Sequence, residues 1–166
     1  MANLINNFPE ILTNSRFYIE LKLDGSEEPV DAYFMECKGF KRTQDVVEVC
    51  EVTPNRWGQA KSGQVVRMKV PGNVKTNNII LRRGMTKSNT LWQWFNAVQE
   101  GNWAKQRRDG SLTIYDQGGN PQAVFQFQGA WPISYIASDL NASGGDLQIE
   151  EMEVAVEVFV RQKLRL

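Results

Sequence analysis

The sequence contains no histidine and only two cysteines, Cys37 and Cys50, among 166 residues. Without an imidazole there is no Ser-His-Asp or Cys-His arrangement and no histidine general base. Zinc sites that use histidine are excluded, and two cysteines at this spacing match no zinc pattern, so neither a metal nor a cofactor is expected. In a cytosolic setting both thiols are expected to be reduced and to lie in or near strands. Long apolar runs are also lacking. No segment approaches the roughly 18 uncharged residues that cross a bilayer, so no membrane insertion is expected. The start, Met1-Ala2-Asn3-Leu4-Ile5-Asn6-Asn7, lacks a basic stretch followed by an apolar one. No export signal is visible in it, and synthesis in the cytoplasm is the expectation.

What chemistry remains is thin. Gly58-Gln59-Ala60-Lys61-Ser62-Gly63 contains Lys-Ser, but no glycine precedes the lysine and no helix is expected behind it, as a phosphate loop requires. Glu151, Glu153 and Glu157 alternate along one strand face while Glu150 points the other way. Nothing marks any of the four as the desolvated acid of a glycosidase pair, and a solvated face is the simpler reading. Asn141-Ala142-Ser143 fits a glycosylation pattern that has no meaning without secretion. Lys41-Arg42, Arg82-Arg83 and Lys105 with Arg107-Arg108, beside Trp57 and Trp103, would suit nucleic acid. The net charge is zero and the pI about 6.3, however, and a basic footprint is the usual first sign of such binding. These arginines are better read as partners of carboxylates, within the chain or between chains. The chain is not expected to be an enzyme.

The charge is unevenly placed. Residues 1–60 carry 6 Lys+Arg and 10 Asp+Glu, residues 61–120 carry 10 and 3, and residues 121–166 carry 3 and 6. With 42% hydrophobic and 23% charged residues the composition is that of an ordinary globular chain, and the length suits one domain over 1–166. Most of it reads as strands. Phe17, Ile19, Leu21 and Leu23 alternate with polar residues over Arg16–Leu23, Asp24-Gly25 signals a turn, and Val30–Cys37 reads as the returning strand. Val46–Val52 and Val65–Val70 are further strands. The second is expected to stop at Pro71-Gly72, and the two are separated by a polar loop over 53–64. Ile79-Ile80-Leu81 makes another apolar burst before Arg82-Arg83-Gly84. Leu112–Tyr115 and Ala123–Gln128 form a hairpin through Asp116–Pro121.

One substantial helix is expected, at about 89–100. Leu91, Trp94, Phe95 and Val98 lie on one face of a 3.6-residue repeat, Ser88 or Asn89 can cap the start, and Gly101 can end it. Trp92 lies off that stripe, and an exposed tryptophan points to a subunit interface. In the last and longest strand, Leu147 and Ile149 share a face. The phase then slips at Glu150-Glu151, as in a β-bulge, and Met152, Val154, Val156, Val158 and Val160 continue the apolar row.

Several segments together resemble the phage tail tube protein family, which includes the inner tube subunits of contractile injection systems. They are Phe17-Tyr18-Ile19-Glu20-Leu21 with Phe34-Met35-Glu36-Cys37-Lys38-Gly39-Phe40, and Lys69-Val70-Pro71-Gly72 with Ile79-Ile80-Leu81-Arg82-Arg83-Gly84. Leu91-Trp92-Gln93-Trp94, Ala130-Trp131-Pro132 and Asp139-Leu140-Asn141-Ala142-Ser143-Gly144 with the Ile149-Glu150 strand complete the ordered set. The resemblance runs from about residue 15 to 160. One departure is that an arginine-acid-glycine-glycine segment frequent in the family is here only Asn55-Arg56-Trp57-Gly58.

The resemblance implies a mainly β, β-sandwich or barrel-like domain flanked by a helix. Six copies would form a ring whose strands join into one barrel around a channel, and rings would stack into a hollow tube. It also implies partners: further copies, a surrounding sheath, baseplate or hub and terminator proteins, and a cargo of DNA or protein in the lumen. On that reading the 53–64 loop, with Arg56, Trp57 and Lys61, is expected to touch an adjacent ring. Glu151, Glu153 and Glu157 are expected to face the channel. Competing readings are a tube initiator at the baseplate, which would stop at one ring, and a monomeric β-rich binding module.

Overall fold

The computed structural model describes residues 12, 14–21, 34–52 and 63–162. The chain divides into two compact units, one of Met1–Phe40 with Asn78–Leu166 and one of Lys41–Asn77.

The first unit is built on seven strands: β1 (Phe17–Leu21), β2 (Glu36–Lys38), β5 (Ile79–Gly84), β6 (Arg108–Tyr115), β7 (Pro121–Ala137), β8 (Ile149–Ala155) and β9 (Val158–Gln162). All pairs are antiparallel, in the order β1-β6-β7-β8-β5-β2, with β9 also on β7. Among the described residues the order is open at β1 and β2 and does not close into a barrel. β7 is shared between two sheets. Residues 124–128 run between β6 and β9, whereas residues 131–137 lie along β8. The change of partner falls at Gly129, whose φ of 65° lies in the left-handed region, where a side chain is strained. A Cβ there would also stand 2.6 Å from the Glu157 carboxylate.

Apolar residues of both sheets and the helix meet in one core. Ile19, Leu112, Phe127 and Phe159 come from the first sheet, Ile79, Leu81, Met152 and Val154 from the second, and Leu91 and Trp94 from helix α1 (Thr90–Ala97). Alternate residues of each strand carry these side chains because a strand's period is two. The helix agrees with the expected stripe. Asn89 occupies its N-cap position without a side-chain cap bond, and a wide turn over Val98–Asn102 ends it, with Gly101 at φ 95°. Trp94 Nε1 donates to Gln106 O at 2.8 Å, so the buried indole keeps its hydrogen bond.

Three expectations are corrected. First, among the described residues β1 pairs with β6 and β2 with β5, and neither pairs with the other; residues 22–33, which hold the expected turn and the start of the expected Val30–Cys37 strand, lie outside the described residues. Second, the strand begun at Val65 does not stop at Pro71-Gly72 but runs to Thr76. Pro71 opposes Val46 at a register shift, and an irregular position on a two-stranded ladder tolerates the missing N–H. Third, β8 keeps its register on β5 through Glu150 and Glu151. The phase slips at Val156-Glu157 instead, where the chain passes from the second sheet to the first. Phe159 is therefore buried, while Val158 and Val160 are exposed.

The second unit is a hairpin of β3 (Arg42–Val52) and β4 (Val65–Thr76). None of its residues is fully buried.

Candidate assembly surfaces

The second sheet turns one face to the core and the other outward. On the core face Arg83 and Glu150 oppose each other across β5 and β8. Their side chains are 2% and 5% exposed and form an ion pair. Tyr135 on β7 donates its hydroxyl to the other oxygen of Glu150 at 2.7 Å. Burial first, and then that hydrogen bond, push the Tyr135 phenol up to about 12. The ring of Tyr135 in turn stands edge-on to Trp92 of α1 at 5.2 Å, so Trp92 is only partly in the open. Nothing in the sequence analysis singled out Glu150 among the four carboxylates. The available signal was its place in an otherwise apolar alternation, with an arginine pair in the neighbouring strand.

The outward face carries a ladder of ion pairs. Glu36 meets Lys38 at 2.6 Å and Arg82 at 2.5 Å, and Arg82 Nε also lies 3.1 Å from Glu151. Hydrogen bonds from Lys38, then Arg82, hold Glu36 below the usual carboxylate range. Glu153 accepts from Asn78 Nδ2 at 2.8 Å. Glu151 and Glu153 thus share one face. Glu157 does not belong to that row. It sits in the break between β8 and β9, donates its N–H to Gln128 O, and pairs with Arg107 at 2.7 Å. Three carboxylates, Glu36, Glu151 and Glu153, against Lys38 and Arg82 leave one negative charge on this face. Arg82, Arg83 and Arg107 accordingly find carboxylate partners within the chain, joining the basic middle third to its acidic flanks.

The hairpin has two unlike faces. Cross-strand partners share a face, so Val47 with Val70, Val49 with Met68 and Glu51 with Val66 make one. Val46 with Pro71, Glu48 with Lys69, Cys50 with Arg67 and Val52 with Val65 make the other. The first is apolar in five positions of six; the second carries the Glu48–Lys69 pair, at 3.5 Å. Seven of the hairpin's large apolar residues are 40–68% exposed.

A second exposed apolar area lies at one end of the second sheet, where Gly84 opposes Ile149 and Ala137 opposes Glu150. Met35, Met85, Ile136, Leu140 and Leu147 are 42–86% exposed there. Met35 donates its N–H to Arg82 O and Met85 to Gln148 O, which fixes these residues on the sheet's rim. Sequence reasoning missed this rim because its members come from four separate segments. Arg56, Trp57 and Lys61 lie outside the described residues. Cys37 and Cys50 are both free thiols, and burial pushes the Cys37 thiol up.

Among the described residues no three metal-ligating side chains come together. The T4-like virus tail tube protein gp19 family matches residues 13–160. The chain belongs to that tail tube family. Solved structures share the tail tube fold at low identity. A chain in the sheath-tube complex of an extracellular contractile injection system, PVC, in its extended state aligns with a TM-score of 0.69 at 20% identity. The alignment covers 96% of this chain and 95% of that one. A chain in the tube-terminating cap of the anti-feeding prophage aligns with a TM-score of 0.71 at 19% identity, over 99% and 100%. A third, in the anti-feeding prophage baseplate, gives 0.68 at 17%, over 96% and 100%. No curated protein matches in sequence. A tail tube family implies a structural role in place of catalysis.

Proposed function

We propose that copies of this chain close into rings, six to a ring as the family resemblance implies, and that the rings stack into the hollow inner tube of a contractile tail or injection particle. The observation that carries this reading is the β3–β4 hairpin. An isolated two-stranded hairpin is marginal in water, and this one has a face that is apolar in five positions of six. Such a face suits burial against another protein chain. Among the described residues β1 and β2 end the strand order, and such edges suit cover by neighbouring copies. Family membership supports the same reading, and the fold's occurrence in sheath-tube, cap and baseplate particles supports sheath, terminator and baseplate as partners.

The outward face of the second sheet, with Glu151 and Glu153, is proposed to line the channel, through which DNA or a protein cargo passes. Its charges are largely self-neutralised, so a ring presents a hydrated wall of small net negative charge. Such a wall repels acidic cargo weakly and holds none. Glu157 contributes through its pair with Arg107 and not as part of that row. A density map of the tube with Glu151 and Glu153 outside the lumen would remove this assignment.

Negative-stain electron microscopy across a concentration series tests the main proposal. Rings or hollow tubes of uniform diameter are expected. Single domains at every concentration, including after co-expression with baseplate proteins, would overturn it.

A further inference from the structure

β7 carries no charged residue along its whole length, Pro121–Ala137. Over residues 131–137 it lies along β8 on one side and, among the described residues, has no strand on the other. Ser138 donates its N–H to Ile149 O, so by the alternation of an antiparallel ladder Tyr135 and Ala137 turn their N–H and C=O groups away from β8. Such an edge is a template for pairing with another chain, and folded proteins guard it with charge, proline, a bulge or a covering segment. In the first sheet the edge strand β9 has a guard, because Arg161 lies on its core side, 5.8 Å over the Phe125 ring. On β7, Pro132 and the bulge before Ser134 guard only the start of the run. Residues 134–137 have no charge on either face. The strand at the opposite end of the second sheet is β2. Since β7, β8, β5 and β2 alternate in direction, β2 runs opposite to β7. Both end strands are backed by the core, through Tyr135 on β7 and Cys37 on β2. On the outward face Ser134, Glu153, Ile80 and Lys38 form one row across the sheet, and Ile136, Glu151, Arg82 and Glu36 form the next.

We propose that the 134–137 edge of β7 pairs antiparallel with β2 of a second copy, so that the second sheets of neighbouring copies join into one wall. The occupant is another copy because the chain itself carries the complementary edge, in the same sheet, with the opposite strand direction and the same outward face. An even number of alternating strands per copy makes every such junction antiparallel, whereas an odd number would force a parallel one. A contact between two different edges of the same molecule is heterologous, and it closes into a ring when the rotation brings it back on itself. The charges agree with the junction. Glu36 and Lys38 meet each other at 2.6 Å on β2, so an uncharged strand laid beside them leaves no lone charge at the joint. Helix α1 packs on the core side of this sheet, where Trp92 stands edge-on to Tyr135. It therefore falls outside a wall whose other face lines the channel. This inference rests on the tube reading and names which strands make the contact within a ring.

Disulfide capture tests it, in a chain carrying Cys37→Ala and Cys50→Ala. Register between copies shifts only in steps of two residues if both faces are kept. Glu36→Cys or Lys38→Cys is therefore combined in turn with Ser134→Cys or Ile136→Cys. Within one copy the two strands stand three spacings apart, about 14 Å, beyond the roughly 4.4–6.8 Å between the Cα atoms of a disulfide. A bond between them thus joins two copies. At least one pairing should give an oxidation-dependent ladder on non-reducing gels that ends at the number of copies in one ring, absent with either cysteine alone. Rings or tubes in the microscope with no ladder from any pairing would sink the inference and leave the tube reading standing. A ladder that runs on past one ring would place the contact between rings and overturn it as well. So would a ladder from Glu20→Cys with Val160→Cys alone, which would place the joint on the first sheet. Ala137→Pro removes an N–H from the free edge. It should raise the concentration needed for rings about tenfold, the cost of one lost ladder bond, with the circular dichroism of the fold unchanged. An unmoved threshold would overturn the pairing. A wild-type chain that forms neither rings nor tubes even with baseplate proteins would overturn both the pairing and the tube reading.

Discussion

Met152 and Met68 are both strand residues in antiparallel pairs, yet one is 1% exposed and the other 47%. The contrast holds for the units they belong to. In the first unit two sheets and a helix cover one another's apolar faces, and even a charge pair is taken out of water. In the hairpin a comparable apolar row has no cover from the described chain. The first unit therefore covers its own apolar residues, whereas those of the hairpin stay exposed in the described chain. Burial within one copy and burial between copies use the same residue types, and only the presence of a facing layer separates them.

The contrast can be broken by substitution, and the largest effect should come from the ion pair. Glu150→Ala would remove the carboxylate that pairs with the buried Arg83 and should cost about 3–5 kcal/mol, read as a fall in the urea midpoint. Breaking the exposed Glu48–Lys69 pair by Glu48→Ala should leave that midpoint almost unmoved, since such pairs contribute little. Equal losses at the two sites would show that the hairpin pair is covered in the free chain.

Next in size is the same truncation at the two methionines. Met152→Ala should cost about 2–5 kcal/mol through lost burial and a cavity. Met68→Ala should barely change monomer stability and should instead weaken assembly, seen as a higher concentration needed to form tubes. A stability loss at Met68 as large as at Met152 would contradict the division.

A smaller effect belongs to Tyr135. Its folded pKa of about 12 lies above the ordinary value near 10, so its contribution is complete below pH 10. It is lost as pH rises from about 10 to about 12, because the unfolded chain releases the phenolic proton first. The stability difference between wild type and Tyr135→Phe should therefore shrink over that window, and paired urea titrations at pH 9 and pH 11.5 would measure it. A constant difference would mean that Glu150 does not hold the phenol in its protonated form. The smallest effect is at acid pH. Glu36 lies below its ordinary range because of Lys38 and Arg82, so it stabilises the fold above the unfolded carboxylate pKa and loses that contribution as pH falls through its depressed folded value. Lys38→Ala should lessen this acid sensitivity slightly in the same titration.

Much of the fold was legible because period-two and period-3.6 patterns are local. β1, β5, β6, the helix and the turn at Asp116–Pro121 all announce themselves within a dozen residues. Strand partners were not legible. The Arg16–Leu23 strand was matched with the next strand in sequence, whereas β6, some ninety residues on, is its partner. The place of the phase slip was misjudged because Glu150 looked like an intrusion into an apolar row. It is a member of that row, made tolerable by Arg83, and no local pattern reveals a partner 67 residues away.

The sequence by itself determined that the chain is mainly β with one helix, that it lacks the histidine for imidazole catalysis or a histidine-containing zinc site, and that it resembles tail tube proteins over nearly its whole length. These properties follow from residue types, their periods and the order of short motifs. Only the tertiary structure decided which apolar residues are covered. Val47 and Val154 carry the same side chain on strands of the same kind. One faces solvent and the other the core, because burial depends on what packs opposite, and that is a property of the folded chain as a whole.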